Sequence, residues 1–557
     1  MKTPVYSTAC PDWGDRLRRG DTIIPPPIYP EQAAQALAIF KELRVVDLPG
    51  KPTFGECSEQ WVFDFVAAIF GGYDAETGNQ LIREFFLLIS KKNTKSTVAA
   101  GIMLTATILC WREDEEHLIL SPTKEVADNS FKPAAGMIRA DEELSALFHV
   151  QDHIRTITHR VTKACLKVVA ADTDTVSGKK SGRVLVDEHW LFGKKNNAES
   201  MFMEALGGQI SRNEGWVIYL TTQSDEPPSG VFKDKLNYFR GVRDGKINDP
   251  RSLGVLYEFP ADMVESKAYM LPENFHVTNP NVGRSVSVEW LEDNLRKNKE
   301  KQDGSFQAFL AKHLNIEIGL NLRSDRWAGA DYWEQCGKPE IVGSLQELID
   351  RCEVVTMGID GGGLDDLLGL AVTGRETGSH RWLAWCKAWA HPSVLERRKS
   401  EAARFRDFAR AGDLVLVERI GDDTEEVAQI AETLLRSGKL DKIGVDPQGL
   451  GGIVEALHSV GIEEGQIIGI SQGWRLNGAI KTTERKLAAG ELIHGGRELM
   501  NWCVGNARIV QVGNAVTINK QASGFAKIDP LMALFNAVSL LALNPQSSAI
   551  TQAFVEL

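Results

Sequence analysis

The sequence predicts an α/β fold in two domains, and three observations carry that expectation. The chain has 557 residues, well beyond the roughly 250 to 300 at which a single hydrophobic core usually stops growing. From about Phe54 to Ser224 short apolar runs alternate with helix-like stretches, the pattern of a mainly parallel sheet whose ligands sit at the carboxyl ends of its strands. A second alternating region opens at Val354 and continues to the helix after Asp529. The boundaries read in this way are residues 1–50 as an N-terminal appendage, 51–285 as the first domain, 286–350 as a helical linker and 351–557 as the second domain.

In chain order, Pro25, Pro26, Pro27 and Pro30 precede a helical pattern that puts Ala33, Leu37 and Phe40 on one face. Arg83–Ser90, Leu118–Ser121, Val184–Val186 and Val217–Thr221 read as buried strands. Residues 285–345 are polar and helical, and the charged run from Leu295 to Gly304 reads as a solvated face rather than a nucleic-acid patch. The second region begins with strands at Val354–Ile359, Leu367–Thr373 and Trp382–Trp389.

Composition narrows the class. With 43% hydrophobic and 25% charged residues the chain is ordinary globular protein, and no run approaches the roughly 18 uncharged apolar residues of a membrane span. Met1–Gly20 mixes charges with Pro and Gly, unlike a secretory signal, so a cytosolic location is expected. The eight cysteines are scattered singly, which fits reduced thiols and offers no zinc site. A formal charge of −12 argues against coating nucleic acid through bulk electrostatics, although local basic contacts remain compatible with it.

The strand ending at Ser90 runs into Lys91, Lys92, Asn93, Thr94, Lys95, Ser96 and Thr97, and a helical pattern follows from Val98 to Leu109. Strand, short Lys-Ser loop and helix is the context in which backbone N–H groups cradle phosphates. Lys95 would reach the β- and γ-phosphates of a nucleotide and Ser96 would bind Mg²⁺. A basic helix start explains the loop alone equally well, because it contains no glycine. The strand Arg183–Val186 delivers two adjacent carboxylates, Asp187 to hold the Mg²⁺ through water and Glu188 to polarise the attacking water. The joint occurrence of loop and acids, in this order, favours an NTPase. A third strand ends in Thr221, Thr222 and Gln223, groups suited to sensing a γ-phosphate.

In the second region, three acids stand at the ends of elements. Asp360 follows Val354–Ile359, Asp446 follows Lys442–Val445, and Asp529 opens the apolar C-terminal helix. Clustered carboxylates can hold two divalent ions, Mg²⁺ or Mn²⁺, about 3.5 to 4 Å apart to clamp the oxygens of a phosphodiester. Asp360 would bridge both ions. Asp365 and Asp366 read as a hairpin turn, and Lys520 and His494 as surface residues rather than phosphate contacts.

The loop at Lys91–Thr97, the Asp187-Glu188 strand and the Thr221-Thr222-Gln223 element resemble the Walker A, Walker B and coupling motifs of the large terminase subunits of tailed bacteriophages. Lys91 stands where that family usually has arginine and Thr94 where it usually has glycine. Gln60, within Glu59-Gln60-Trp61, resembles its adenine-reading glutamine, and Ser121–Glu125 and Asn279-Pro280 resemble further landmarks. The order of the three aspartates resembles the ribonuclease-H-like nuclease of the same family. The resemblance implies a P-loop ATPase of the ASCE type joined to a nuclease with a mixed sheet. It implies an ATP-driven motor that moves double-stranded DNA into a procapsid and cuts concatemers. Its partners would be the portal protein and a small terminase subunit, with a homo-oligomeric ring on the portal in the host cytoplasm. Arg139, Arg155 and Arg160 are equal candidates for an arginine finger in trans. The alternatives are a helicase- or repair-type ATPase fused to a nuclease, and a nucleotide-independent scaffold.

Overall fold

The computed structural model describes residues 4–170, 181–195, 197–300, 305–318, 327–363, 366–399, 401–447, 451–512, 515–518 and 527–546. Asp365 and Lys520 lie outside them. The chain forms two compact units, Met1–Ile318 and Gly319–Leu557.

In the first unit the strands of the main sheet are β1 Glu84–Leu88, β2 Glu116–Ser121, β3 Phe148–Gln151, β4 Thr156–His159, β5 Cys165–Ala170, β6 Arg183–Val186, β7 Trp216–Thr221 and β8 Ser252–Leu256. They form one sheet in the order β8-β1-β7-β6-β2-β5-β4-β3. The neighbours from β8 to β5 run parallel, and β4 and β3 close the edge antiparallel. The four strands expected from the sequence are β1, β2, β6 and β7, in the buried centre. The others escaped pattern reading: β5 is buried only on alternate positions, and β8 carries Ser252 and Gly254 among its apolar residues.

Helices α1 (Pro30–Glu42), α2 (Gln60–Phe70), α3 (Lys95–Ile108), α4 (Lys124–Arg139), α5 (Gly230–Arg243), α6 (Val288–Lys299) and α7 (Ser305–Leu314) belong to this unit. The helix α1 within the expected appendage packs into this unit, because its Phe40 is fully buried and stacks on Phe54 at 4.4 Å. The polar stretch 286–350 is shared: α6 and α7 fall in the first unit and α8 (Leu345–Arg351) in the second.

The second unit holds β9 Cys352–Gly361, β10 Leu368–Glu376, β11 Trp382–Ala390, β12 Leu414–Leu416, β13 Leu440–Val445, β14 Ile467–Gly469 and β15 Leu492–His494. The sheet order is β12-β11-β10-β9-β13-β14, with β15 also on β11. β9, β10 and β11 are antiparallel neighbours, whereas β13 joins β9 in parallel, so the sheet is mixed. Helix α9 (Asp422–Arg436) and the C-terminal α10 (Asp529–Leu541) belong to the same unit, and α10 is buried along nearly its whole length. Among the described residues no helix is long and apolar enough to cross a membrane.

Candidate functional site

The first site lies at the carboxyl ends of β1, β6 and β7. Their parallel register, Leu88 beside Thr221 and Val186 beside Tyr219, brings the loop after β1, the acids after β6 and the hydroxyls of β7 to one edge. The loop turns without glycine by placing Lys92 (φ 72°) and Thr94 (φ 58°) in the left-handed region. For a β-branched residue such as Thr94 that conformation costs roughly 1–2 kcal/mol. Surrounding side chains hold it there. Asn281 donates from Nδ2 to Thr94 Oγ1 at 3.2 Å and from its backbone N–H to Asn93 Oδ1 at 3.0 Å. Asn93, fully buried, donates to Ser90 O at 3.1 Å and to Asn279 Oδ1 at 2.9 Å. Trp61 Nε1 donates to Asn281 Oδ1 at 2.7 Å, which ties the start of α2 to the same loop.

Beyond the loop the expected partners touch. Lys95 Nζ lies 2.8 Å from Glu188 Oε1, with both side chains largely buried. Ser96 Oγ is 3.4 Å from Asp187 Oδ2, and Ser130 of α4 donates to the same oxygen at 2.9 Å. Trp190 Nε1 donates to Glu188 Oε2 at 2.6 Å. Burial disfavours the charge on each of these groups, and the neighbours decide the outcome. Against desolvation, Glu188 and then Asp187 keep the Lys95 ammonium above its usual range. Desolvation also opposes ionised Glu188, but Lys95, the Trp190 N–H and Lys312 hold it below the ordinary carboxylate range. Asp187, fully buried, is raised chiefly by burial despite Lys95. Thr221, Thr222 and Gln223 are fully buried, and Thr221 Oγ1 accepts from Trp190 N at 3.1 Å.

The remaining candidates of this unit sit as follows. Lys91 and Thr97 are half-buried and Lys92 is exposed. Gln60 is exposed, and its amide bonds Asp64 Oδ1 at 2.8 Å in its own helix. Arg139 pairs with Asp152 and Arg155 with Asp128, while Arg160 is exposed. Sequence reasoning missed Ser130, Trp190 and Asn281. A signal existed for Ser130, a polar residue on the buried face formed by Ala127, Phe131, Ala134 and Ile138; nothing local marks the other two.

The second site is assembled by backbone. Ile359 pairs with Val445, so Asp360 and Asp446 leave adjacent parallel strands side by side. Helix α10 lies directly on the sheet and brings the start of the helix, at Asp529, beside the strand end that carries Asp360. A Cβ on Gly369, the residue paired with Asp360, would lie 2.6 Å from the carbonyl carbon of Asp529, and one on Gly361 would lie 3.3 Å from Asp529 Cβ. Hydrogen bonds fix the helix: Asn536 Nδ2 donates to Ile359 O at 2.8 Å and Thr356 Oγ1 to Ala537 O at 2.9 Å. Asp360 and Asp529 are 2% and 0% exposed. Asp446 borders a cleft of about 400 Å³ lined by Gln472, Trp474 and Arg475.

All-carboxylate donors fit hard divalent cations, yet among the described residues no three His, Cys, Asp or Glu groups converge as a metal cage. The three aspartates thus share one end of the sheet without forming a closed cluster. Asp366 forms an ion pair with Lys527 at 2.5 Å. His494 departs from the surface position expected of it. It is buried, stacks on Trp333 at 3.8 Å, bonds Trp333 O through Nε2 at 2.8 Å and accepts from Gly496 N at Nδ1. Burial lowers its pKa to about 4, so it is a neutral packing residue and no phosphate contact.

Residues 61–241 match the family model described as the terminase large subunit ATPase domain, and residues 255–544 match that of the terminase large subunit endonuclease domain. The terminase large subunit of Lactococcus phage p2 is 22% identical over 505 residues, covering 87% of this chain and 86% of that protein. Protein YmfN of Escherichia coli (strain K12) is 21% identical over 392 residues, 66% of this chain and 79% of that protein. The crystal structure of the HK97 bacteriophage large terminase aligns with a TM-score of 0.45 and 18% identity, covering 91% of this chain and 99% of that one. With both family models matched in order along the two units, the chain belongs to the terminase large subunit family, an ATPase and endonuclease of phage DNA packaging that uses nucleotide and divalent metal and works on DNA at the portal.

Proposed function

We propose that ATP is the nucleotide and that Lys91–Thr97 form its phosphate loop, with Lys95 on the β- and γ-phosphates and Gln60 toward the base. Ser96 and Asp187 would hold Mg²⁺, which neutralises developing charge on the phosphates. Glu188 orients and polarises the attacking water, and Thr221, Thr222 and Gln223 respond to the γ-phosphate. The observation that supports this reading best is the Lys95–Glu188 pair at 2.8 Å. A lysine already beside the water-polarising acid is released from it when phosphate competes for the ammonium, so binding itself arms Glu188.

In the second unit Asp360, Asp446 and Asp529 are the residues that would hold two divalent ions, Mg²⁺ or Mn²⁺. Bound there, the metals supply Lewis acidity to the phosphodiester. The carboxylates would orient the DNA-cutting centre, and the hydrogen bonds between α10 and β9 hold the helix that carries Asp529 on the strand that carries Asp360. In the cell the protein would act in the host cytoplasm, as a homo-oligomeric ring on the portal served by a small terminase subunit.

A crossed experiment on the full chain tests the assignment: DNA-stimulated ATP turnover and metal-dependent plasmid cutting, each measured for wild type, Lys95→Ala and Asp360→Ala. The expected result is loss of turnover alone in the first variant and of cutting alone in the second. Full turnover by Lys95→Ala sinks the nucleotide site, and normal cutting by Asp360→Ala sinks the nuclease site.

A further inference from the structure

Lys312 of α7 is 7% exposed. Its ammonium donates to Gln223 O at 2.8 Å and lies 2.9 Å from the centre of the Trp190 ring. The indole that receives the ammonium on its face holds Glu188 by its edge, through Nε1 at 2.6 Å. The end of α7 also touches the other nucleotide motifs. Lys91 N donates to Lys312 O at 2.7 Å, Gln223 N to Asn315 Oδ1 at 3.2 Å, and Asn279 Nδ2 to His313 O at 2.9 Å. One short segment therefore joins the phosphate loop, Trp190 just beyond the Walker B acids, and the end of the coupling strand.

A buried ammonium held by a carbonyl and an aromatic face is a costly anchor for a helix, because an apolar side chain would do so without desolvating a charge. The surrounding charges are mixed: Asp225 and Glu188 favour its ionisation, Lys91 and Lys194 oppose it, and burial, the largest influence, pulls it down to about 7. A charge placed at such cost, one indole away from Glu188, points to work in the ATPase site.

We propose that Lys312 is a positioning residue of the ATPase site, whose ammonium ties the last helix of the first unit to the strand ends bearing Glu188 and Gln223, so that nucleotide turnover and the anchoring of α7 are one equilibrium. The proposal rests on the nucleotide-site reading above. Turnover then requires that α7 be docked, and nucleotide binding changes how firmly it docks, since both act through Gln223 and Trp190.

The test uses the full chain with Lys312→Met, close in shape but uncharged, and Lys312→Arg, which keeps a cation. Steady-state ATP hydrolysis with DNA should show a kcat lowered about tenfold or more in Lys312→Met, a KM within about threefold of wild type, and substantial recovery in Lys312→Arg. Amide exchange of residues 305–314 in wild type, with and without Mg²⁺ and ATP-γ-S, should differ by about tenfold in protection. Turnover of Lys312→Met within about twofold of wild type, or a loss confined to KM, overturns the proposal. If Lys312→Met no longer binds ATP-γ-S, the exchange measurement on wild type decides, and unchanged protection overturns the proposal. Lys95→Ala run in parallel separates the two failures: an active Lys95→Ala removes the nucleotide site itself, whereas an inactive one beside a normal Lys312→Met removes only the role of Lys312.

Discussion

The two sites are held in shape by different means. In the first unit the functional side chains bond one another directly, Lys95 to Glu188, Ser96 and Ser130 to Asp187, Trp190 to Glu188. In the second, the aspartates are brought together by strand register and by a helix packed on glycine-bearing strands, and no closed cluster of ligands forms among the described residues. The contrast teaches where each is vulnerable. A site made of mutual hydrogen bonds is sensitive to polar substitutions within it, and a site made of backbone packing to steric changes beneath it.

The largest expected effect strikes the first site. Glu188→Gln keeps the shape but removes the proposed general base and the charged partner of Lys95, and should lower the kcat of ATP hydrolysis by about 10²- to 10⁴-fold. Plasmid cutting measured in the same preparation should stay at the wild-type level; a parallel loss of cutting would contradict the separation of the two sites.

Steric intrusion should break the second site and spare the first. A Cβ on Gly369 would sit 2.5 Å from Pro530 N, so Gly369→Ala must push the start of α10 away from Asp360. Cutting should fall by at least about tenfold and the second unit lose roughly 1–3 kcal/mol in denaturant unfolding, with ATP turnover unchanged. Normal cutting by this variant would show that Asp529 need not stay pressed on the sheet.

A smaller effect sharpens the account of the loop without glycine. Asn281→Ala removes the groups that bond Thr94 Oγ1 and the Trp61 indole, at roughly 1–3 kcal/mol for the buried partners left unsatisfied. The KM for ATP should rise about five- to tenfold as the left-handed Thr94 relaxes. Adding Thr94→Gly, which adopts that conformation without strain, should recover part of the loss; no recovery would mean that Asn281 acts elsewhere.

The smallest effect on either activity belongs to His494, which should influence stability alone. The unfolded chain protonates this histidine near 6.5 and the folded chain only near 4, so acid favours unfolding across that interval and stability grows as pH rises through it. His494→Phe forfeits two hydrogen bonds, about 1–3 kcal/mol at neutral pH, but carries no such proton linkage. The gap in melting temperature between wild type and variant should narrow as pH falls from 6.5 to 4, and a constant gap would refute buried neutral His494.

Much of the chemistry was legible in the sequence because it is written in contiguous residues. Lys95 and Ser96 follow a strand and open a helix, Asp187 and Glu188 end a strand, and Asp360 and Asp446 each follow an apolar run. Periodicity and end residues reflect local backbone geometry, so the sequence alone determined the fold class, the central strands of the sheets and which residues follow them. Tertiary structure decided the rest. Ser130, Trp190, Asn281 and Lys312 enter the first site from elements up to about two hundred residues from Lys95, and a hydrogen-bond partner at that range depends on how helices pack, which no local pattern encodes. Edge strands β3 to β5, half exposed, carry no continuous apolar run for the eye to find. His494 looks like any polar residue near a strand end until Trp333 covers it. Thr94 holds a conformation its own side chain disfavours, and bonds from distant residues, those of Asn279 and Asn281 among them, hold that loop: burial and strain belong to the assembled core, where distant residues meet.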